Sequence, residues 1–272
     1  MTLHVYDYRQ KYEGPAAAFY DQDHSWRDYE AQSRMVASLL ERSFGRTAKS
    51  RSAKILDLCC GSGSHSVPLA KRGFAVTGVD RSAPLLLQAN RKARLAGVKA
   101  RFIRRDMYAL GSDKKFQRAF DACILLGWTL SIRPVYRRFG AILKLAQTVL
   151  KPGGLFIFDV PLDSNVNRSN PPQLRYQSAP QVFGTLSIRE EASPALSATS
   201  FFYSWNVTDG RSSREFVVKE VLSRVRFAEI ERAVAKSRFG SFEFLGGYDL
   251  DKKYVPGDPH LTGVLKKNVS GH

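Results

Sequence analysis

Cysteine is scarce: three residues, Cys59, Cys60 and Cys123, in a chain of 272. Cys59 and Cys60 are adjacent, so a bridge between them would strain the backbone, and Cys123 sits in an apolar run as a small hydrophobe. A disulfide framework is excluded. The five histidines (His4, His24, His65, His260 and His272) are scattered, and no Cys/His spacing of the kind zinc sites use occurs. No metal site is expected. Long apolar runs are missing too. Ala122 to Trp128 is about the longest, well short of the roughly 20 residues a membrane helix needs. The segment Met1–Glu13 is polar and carries acids, unlike a signal or transit peptide. The expectation is an intracellular, cytoplasmic protein without a membrane partner.

Acidic residues are also few, 25 Asp+Glu against 42 Lys+Arg, for a net charge of +17. The excess is local: residues 51–150 carry 19 basic and 5 acidic side chains, and the remainder 23 and 20. Such a field attracts nucleic acid or anionic substrates. The competing explanation is a set of solvated helix faces, since Arg91, Lys92 and Arg94 follow Leu85–Leu87 at the spacing an amphipathic helix exposes.

What is present is an alternation. A helix capped by Ser25 is predicted through about Arg42, with Tyr29, Val36, Leu39 and Leu40 on its apolar face. Arg46–Lys54 reads as a loop. Strands follow at Lys54–Cys59, Ala75–Val79, Ala100–Arg104, Phe120–Leu126 and Leu155–Val160. Helices at Ser64–Lys71, Ala83–Leu95 and Val135–Leu150 stand among them. This is the pattern of a parallel sheet covered on both faces. After Pro161 the composition changes. Asp163–Pro172 is loop-like, and strand-like runs at Val182–Ile188, Ser200–Val207 and Glu215–Leu222, with an Asp209-Gly210 turn, read as an antiparallel insertion. A helix at Phe227–Ser237 and strands at Ser241–Tyr248 and Leu261–Lys266 complete the chain.

The chemistry is carried first by Ile55-Leu56-Asp57-Leu58-Cys59-Cys60-Gly61-Ser62-Gly63-Ser64-His65. A buried strand enters a turn in which Gly61 and Gly63 permit close approach to a ligand, and the next helix presents its first amides to negative charge. Asp57 is placed for a ligand ammonium, directly or through water. A third glycine is absent, since Ser66 stands there, which argues against a dinucleotide. Next, Asp80-Arg81-Ser82 ends the following strand. Asp80 suits two ribose hydroxyls; it could instead cap a helix, but Ser82 is better placed for that. Asp106 and Met107 then follow the third strand, the acid to accept from an adenine amino group and Met107 to pack on the ring.

With Phe120-Asp121-Ala122-Cys123-Ile124-Leu125-Leu126-Gly127 and Leu150-Lys151-Pro152-Gly153-Gly154-Leu155-Phe156, the order and spacing of five segments resemble the class I S-adenosylmethionine-dependent methyltransferases over roughly residues 20–160. The resemblance implies an α/β fold: a doubly wound, Rossmann-like sheet of seven strands, the last antiparallel, with a small antiparallel β insertion between strands 5 and 6. It implies S-adenosyl-L-methionine as cofactor, held by Asp57, Gly61, Gly63, Asp80, Arg81, Asp106, Met107 and Leu125, the last lining the methionine part of the pocket. Cys59 departs from the pattern, where many members have glycine or alanine. Tyr20-Asp21, Asp28-Tyr29 and Gly246-Gly247-Tyr248-Asp249 look similar to segments of the small-molecule branch. The chain then divides as a single methyltransferase domain over 1–272. Residues 1–45 form a lid, with Tyr20 and Tyr29 as lid or core residues, and 46–162 the cofactor core. Residues 163–226 form an insertion shaping the acceptor pocket, and 227–272 complete the sheet.

Methyl transfer from a sulfonium relies on alignment and exclusion of water, and a general base is optional. Trp128 and Thr129 should face the acceptor. Asp159 either lines the pocket or caps backbone, His65 is assigned a structural role, and no catalytic base is named. Asn170-Pro171-Pro172-Gln173 superficially resembles the motif of enzymes that methylate exocyclic amines of bases, but it lies after the wrong strand and reads as a turn. The leading expectation is methyl transfer to N or O of a small-molecule acceptor. The alternatives are an RNA methyltransferase using the basic surplus and a catalytically silent cofactor-fold binding protein.

Overall fold

The computed structural model describes residues 5–45, 52–162, 174–179, 181–193 and 197–269. Asn170-Pro171-Pro172-Gln173 and most of the loop expected over 46–54 lie outside them. The strands are β1 (Val5–Asp7), β2 (Lys54–Leu58), β3 (Ala75–Asp80), β4 (Arg101–Arg104), β5 (Phe120–Leu125), β6 (Leu150–Pro161), β7 (Leu174–Ala179), β8 (Val182–Ser193), β9 (Ala198–Thr208), β10 (Ser213–Ser223), β11 (Phe239–Gly246) and β12 (His260–Lys267).

Seven of them form one sheet in the order β11-β12-β6-β5-β2-β3-β4. It is parallel except for β12, which runs antiparallel to both neighbours. Alternate residues of each strand face opposite sides, and both sides are apolar. Leu56, Leu58, Cys123, Leu125, Phe156 and Phe158 pack with the helix Phe139–Val149. Ile55, Ala122, Ile124 and Ile157 pack with Met35, Val36, Leu39 and Leu40 of the helix Tyr29–Phe44. Burial on two faces is why residues 122–125 of β5 read as an unbroken apolar run.

The other five strands form a second sheet, β1-β10-β9-β8-β7. Four come from the segment between β6 and β11, the fifth and sixth strands of the main sheet, and pair antiparallel in hairpin order. The remaining one, β1, is N-terminal and adds parallel to β10 with Val5 opposite Val217. Sequence pattern gave no sign of β1: three residues are too few to show a period.

Two local expectations are corrected. Ser25 does not cap the first long helix. Asp28 does, its Oδ1 accepting from the Ala31 amide at 2.8 Å, so the helix starts at Tyr29. The helix expected over Val135–Leu150 is broken into Arg133–Tyr136 and Phe139–Val149. At the break Arg138 lies over the Tyr108 ring at 3.4 Å while Phe139 turns inward onto Phe158.

Candidate active site

The carboxyl ends of β2, β3 and β5 and the segment after β4 open into a cavity of about 330 Å³. Its floor is the turn after β2. Gly61 and Gly63 both have positive φ (54° and 75°), and so does Cys59 (54°), a conformation that costs a side chain-bearing residue energy. Gly63 is needed for close packing, since a Cβ there would stand 3.1 Å from Ala89 and Phe102. At Gly61 a Cβ would stand 3.3 Å from the Tyr20 hydroxyl.

Asp80, half-buried at the end of β3, accepts from the Gly61 amide at 2.9 Å and the Ser82 amide at 2.8 Å. Burial raises its carboxyl above the usual range, opposed by those amides. Each oxygen keeps acceptor capacity for a ligand hydroxyl. Ser82 is the helix cap, its Oγ accepting from the Leu85 amide. Beside it Asp106 accepts from the Tyr108 amide at 2.9 Å, with Arg81 at 3.8 Å and Met107 buried below.

The turn after β5 is set by Asp159. It is fully buried on β6 and accepts from the Gly127 amide at 3.0 Å, the Trp128 amide at 2.8 Å and the Tyr248 hydroxyl. Burial raises its carboxyl. Asp159 thus caps backbone and does not line the cavity. Trp128, at a positive φ of 63°, and Thr129 do line it.

The N-terminal segment closes the cavity from above. Asp21 accepts from Ser62 of the glycine turn and pairs with Lys92 at 2.9 Å; Gln88 donates to the Ala17 carbonyl at 2.7 Å. Arg27 is 9% exposed, with its guanidinium 4.3 Å from the Trp26 ring and 4.5 Å from that of Trp128. Its Nε and Nη1 are buried without a hydrogen-bond partner, and it lines the cavity. His24 stacks on Tyr20 at 4.3 Å. Its Nδ1 meets the Tyr20 carbonyl at 2.9 Å. A carbonyl only accepts, so Nδ1 carries the proton and Nε2 keeps its lone pair. Burial, with Lys11 and Arg27 nearby, pushes the His24 imidazole down to about 4.

The far wall belongs to the second sheet. Glu220 on β10 is buried and accepts from Lys11 Nζ at 3.2 Å, the Tyr12 hydroxyl at 2.7 Å and the Tyr203 hydroxyl at 3.1 Å. Burial alone would raise its carboxyl, but Lys11 and the two hydroxyls hold it below the usual value.

Of the eight residues expected to hold a cofactor, Gly61, Asp80, Arg81, Asp106 and Met107 meet in this cavity. Asp57, Gly63 and Leu125 stand behind its wall. Asp57 accepts from Ser66 Oγ at 2.6 Å, 2% exposed, its carboxyl pushed up to about 7 by burial. Leu125, expected against the ligand, points instead into the apolar layer with Phe156 and Phe158 and does not line the cavity; Gly127, two residues on, does. His65 is structural as expected, Nε2 lying 2.6 Å from Gln32 Oε1. Sequence reasoning passed over Arg27, His24, Lys11 and Glu220. Only Arg27 had a signal, as the residue before Asp28-Tyr29.

Residues 55–154 match the methyltransferase domain family. A putative methyltransferase of Geobacillus sp. (strain WCH70) is 35% identical over 144 residues, 53% of this chain and 55% of that protein. The chain spans about half the length of the curated relatives it matches. The structure of an S-adenosylmethionine-dependent methyltransferase from Clostridium acetobutylicum superposes with a TM-score of 0.70 at 20% identity, covering 93% of this chain and 97% of that one. An amino pentose methyltransferase from Micromonospora echinaspora, solved with S-adenosylmethionine bound, gives 0.63 at 18% identity over 92% and 95%.

The cavity's donor set fits that cofactor. It offers a carboxylate with spare acceptor capacity that ribose hydroxyls would fit, an acid and a thioether beside it that an adenine would fit, and an orphaned buried guanidinium that a carboxylate would fit. Residues 55–154 resemble the methyltransferase domain family, and the chain around them has the fold of S-adenosylmethionine-dependent methyltransferases of known structure.

Proposed function

We propose that the protein transfers a methyl group from S-adenosylmethionine to N or O of a small-molecule acceptor. The observation that carries this is the enclosure of the site. One cavity reaches from Asp80 and Asp106 to Tyr203, Glu220 and Leu222 of the second sheet, covered by the N-terminal segment.

In this reading Asp80 takes the ribose hydroxyls, Asp106 and Met107 the adenine, and Arg27 the carboxylate. Asp57 and Gly63 support the turn from behind. The bound cofactor supplies an electrophilic methyl group. The chain contributes position and exclusion of water. Thr129, Ser131 and Ile132 after β5 and Tyr203 and Leu222 opposite shape the acceptor side. His24 Nε2 is free to accept a hydrogen bond from the acceptor's N–H or O–H and so turn its lone pair toward the reacting methyl. The amino pentose methyltransferase of like fold adds support for a small acceptor.

Calorimetric titration with S-adenosylhomocysteine, with NAD in parallel, tests the cofactor half. Binding of the first and not the second is expected, and failure of the first in folded protein would refute it. Incubation of a cell extract with methyl-labelled S-adenosylmethionine tests the acceptor half. Label in the small-molecule fraction is expected; label confined to RNA or protein, or none despite tight cofactor binding, would overturn it.

A further inference from the structure

Of the described basic residues of 51–150, only Arg81, Arg105 and Arg138 line the cavity. At the opposite, amino-terminal ends of the parallel strands lies a second cleft of about 470 Å³. Lys54 opens β2, Lys99 and Arg101 stand at the start of β4, and Lys115 precedes β5; all four are exposed and line this cleft. No acidic residue shares the lining. None of the four side chains makes a hydrogen bond or ion pair among the described residues. The acids nearest in sequence are already engaged: Asp121 by Lys151 Nζ and the Lys54 amide, Asp113 by Arg105. Ala75, Thr77 and Ala100 form the floor. Like charges gathered without a counter-ion repel one another, and a bound polyanion relieves that repulsion.

We propose that this cleft binds the phosphate backbone of a single-stranded RNA. The four cations stand at the entries to β5, β2 and β4, and the sheet order β5-β2-β3-β4 spreads them over four neighbouring strands, roughly 14 Å across. No buried polar group fixes a single anion among them, so the arrangement suits a chain of phosphates better than one. The cleft offers no exposed aromatic or apolar anchor of the kind a protein partner would need. Its place also separates binding from chemistry. The five residues of β2 set it roughly 16 Å from the cavity, so the strand is a docking partner and not the methyl acceptor. This site stands whether or not the small-molecule reading holds.

Fluorescence anisotropy with a labelled 20-nucleotide oligouridine tests it on the full chain. Four phosphate contacts predict an affinity that falls about 50-fold between 50 and 200 mM KCl. The variant Lys99→Glu/Arg101→Glu/Lys115→Glu should lose at least tenfold in RNA affinity, with thermal melting and S-adenosylhomocysteine affinity unchanged. Arg91→Glu/Arg94→Glu/Arg137→Glu, an equal charge change at exposed positions elsewhere, should retain binding. No binding at 50 mM KCl, or equal losses in the two variants, would overturn the proposal. So would polyglutamate binding as tightly as RNA, which would assign an acidic protein, or micromolar binding of pyrophosphate without a gain for the oligonucleotide, which would assign a small phosphate ligand.

Discussion

Replacing Arg27 by Met should separate two quantities that usually fall together, stability and ligand affinity. The Arg27 guanidinium is buried against two neighbouring indole rings with Nε and Nη1 unpartnered. Desolvating a cation in this way costs several kcal/mol, and two cation–π contacts return about 0.5–2 kcal/mol each. Met fills similar volume without the charge, so the two terms nearly cancel and the free protein should melt within a few degrees of the parent. The liganded protein differs. A buried, hydrogen-bonded pair between the guanidinium and a cofactor carboxylate, when truncated on one side, is worth about 2–5 kcal/mol. The dissociation constant of S-adenosylhomocysteine should therefore rise about 30-fold to several thousand-fold. The decisive assay adds 5′-methylthioadenosine, which has the adenosine and sulfur but no carboxylate. Calorimetry should find its affinity unchanged by Arg27→Met. Equal weakening of both ligands would refute the assignment, since the mutation would then be acting on the fold of the lid. Unchanged affinity for both would refute it too.

Asp80→Ala should weaken S-adenosylhomocysteine binding by about 1–3 kcal/mol in a folded protein, read by the same titration; unchanged affinity would remove Asp80 from the ribose. Gly61→Ala should lower stability by roughly 1–2 kcal/mol through its positive φ, and weaken the ligand further because the new methyl meets Tyr20 at 3.3 Å. Unaltered melting and affinity would argue against the tight turn. His24 and His65 are pushed down to about 4 and about 3, chiefly by burial. Long-range nitrogen–proton NMR at pH 5.5 should show both rings neutral, protonated on Nδ1 in His24 and on Nε2 in His65. Because the unfolded chain binds those protons below pH 6.5 and the folded chain does not, each ring removes up to about 1.4 kcal/mol of stability per pH unit as pH falls toward 4. Asp57, raised to about 7, acts in the opposite sense, so the site-resolved spectrum is the clean test and a charged ring at pH 5.5 would sink it.

The glycine turn and the strand ends that line the cavity were legible because their signals are local. A strand buried on both faces, two glycines and an acid at the next strand end are set by steric and capping rules that act within a few residues. Gly61, Asp80, Asp106 and Met107 meet in one cavity for that reason. Leu125 was misplaced because a continuous apolar run does not say which alternate residues face which side. Arg27, His24, Lys11 and Glu220 were invisible for a different reason. The first three sit in short helices and turns without a period, and Glu220 reaches Lys11 only because β1 pairs with β10, more than 200 residues away in sequence. Nothing local records such a pairing.

That long-range pairing has a consequence for the cover of the site. Lys11 is 6% exposed and Glu220 3%, and their contact ties the N-terminal segment to the second sheet. Glu220→Gln removes the carboxylate and leaves Lys11 with Asp23 at 3.9 Å as its nearest acid. Breaking one side of a buried pair costs about 3–5 kcal/mol. If that cost falls on the whole molecule, the melting temperature drops by roughly 6–20 °C. If the N-terminal segment opens by itself, the melt barely moves, but S-adenosylhomocysteine affinity falls although Glu220 sits on the far wall, because Tyr20 and Arg27 leave with the segment. The second outcome is expected: Phe19 packs this segment on the apolar core of the second sheet, but toward the main sheet it is held by a few polar latches, Asp21 to Ser62 and Lys92 and Gln88 to Ala17, whereas the main sheet is packed on both faces. Lys11→Met/Glu220→Gln, which removes both charges, should restore most of the affinity. A double variant no better than the single one would show that Glu220 acts by itself, and that cofactor and acceptor sides do not share one cover.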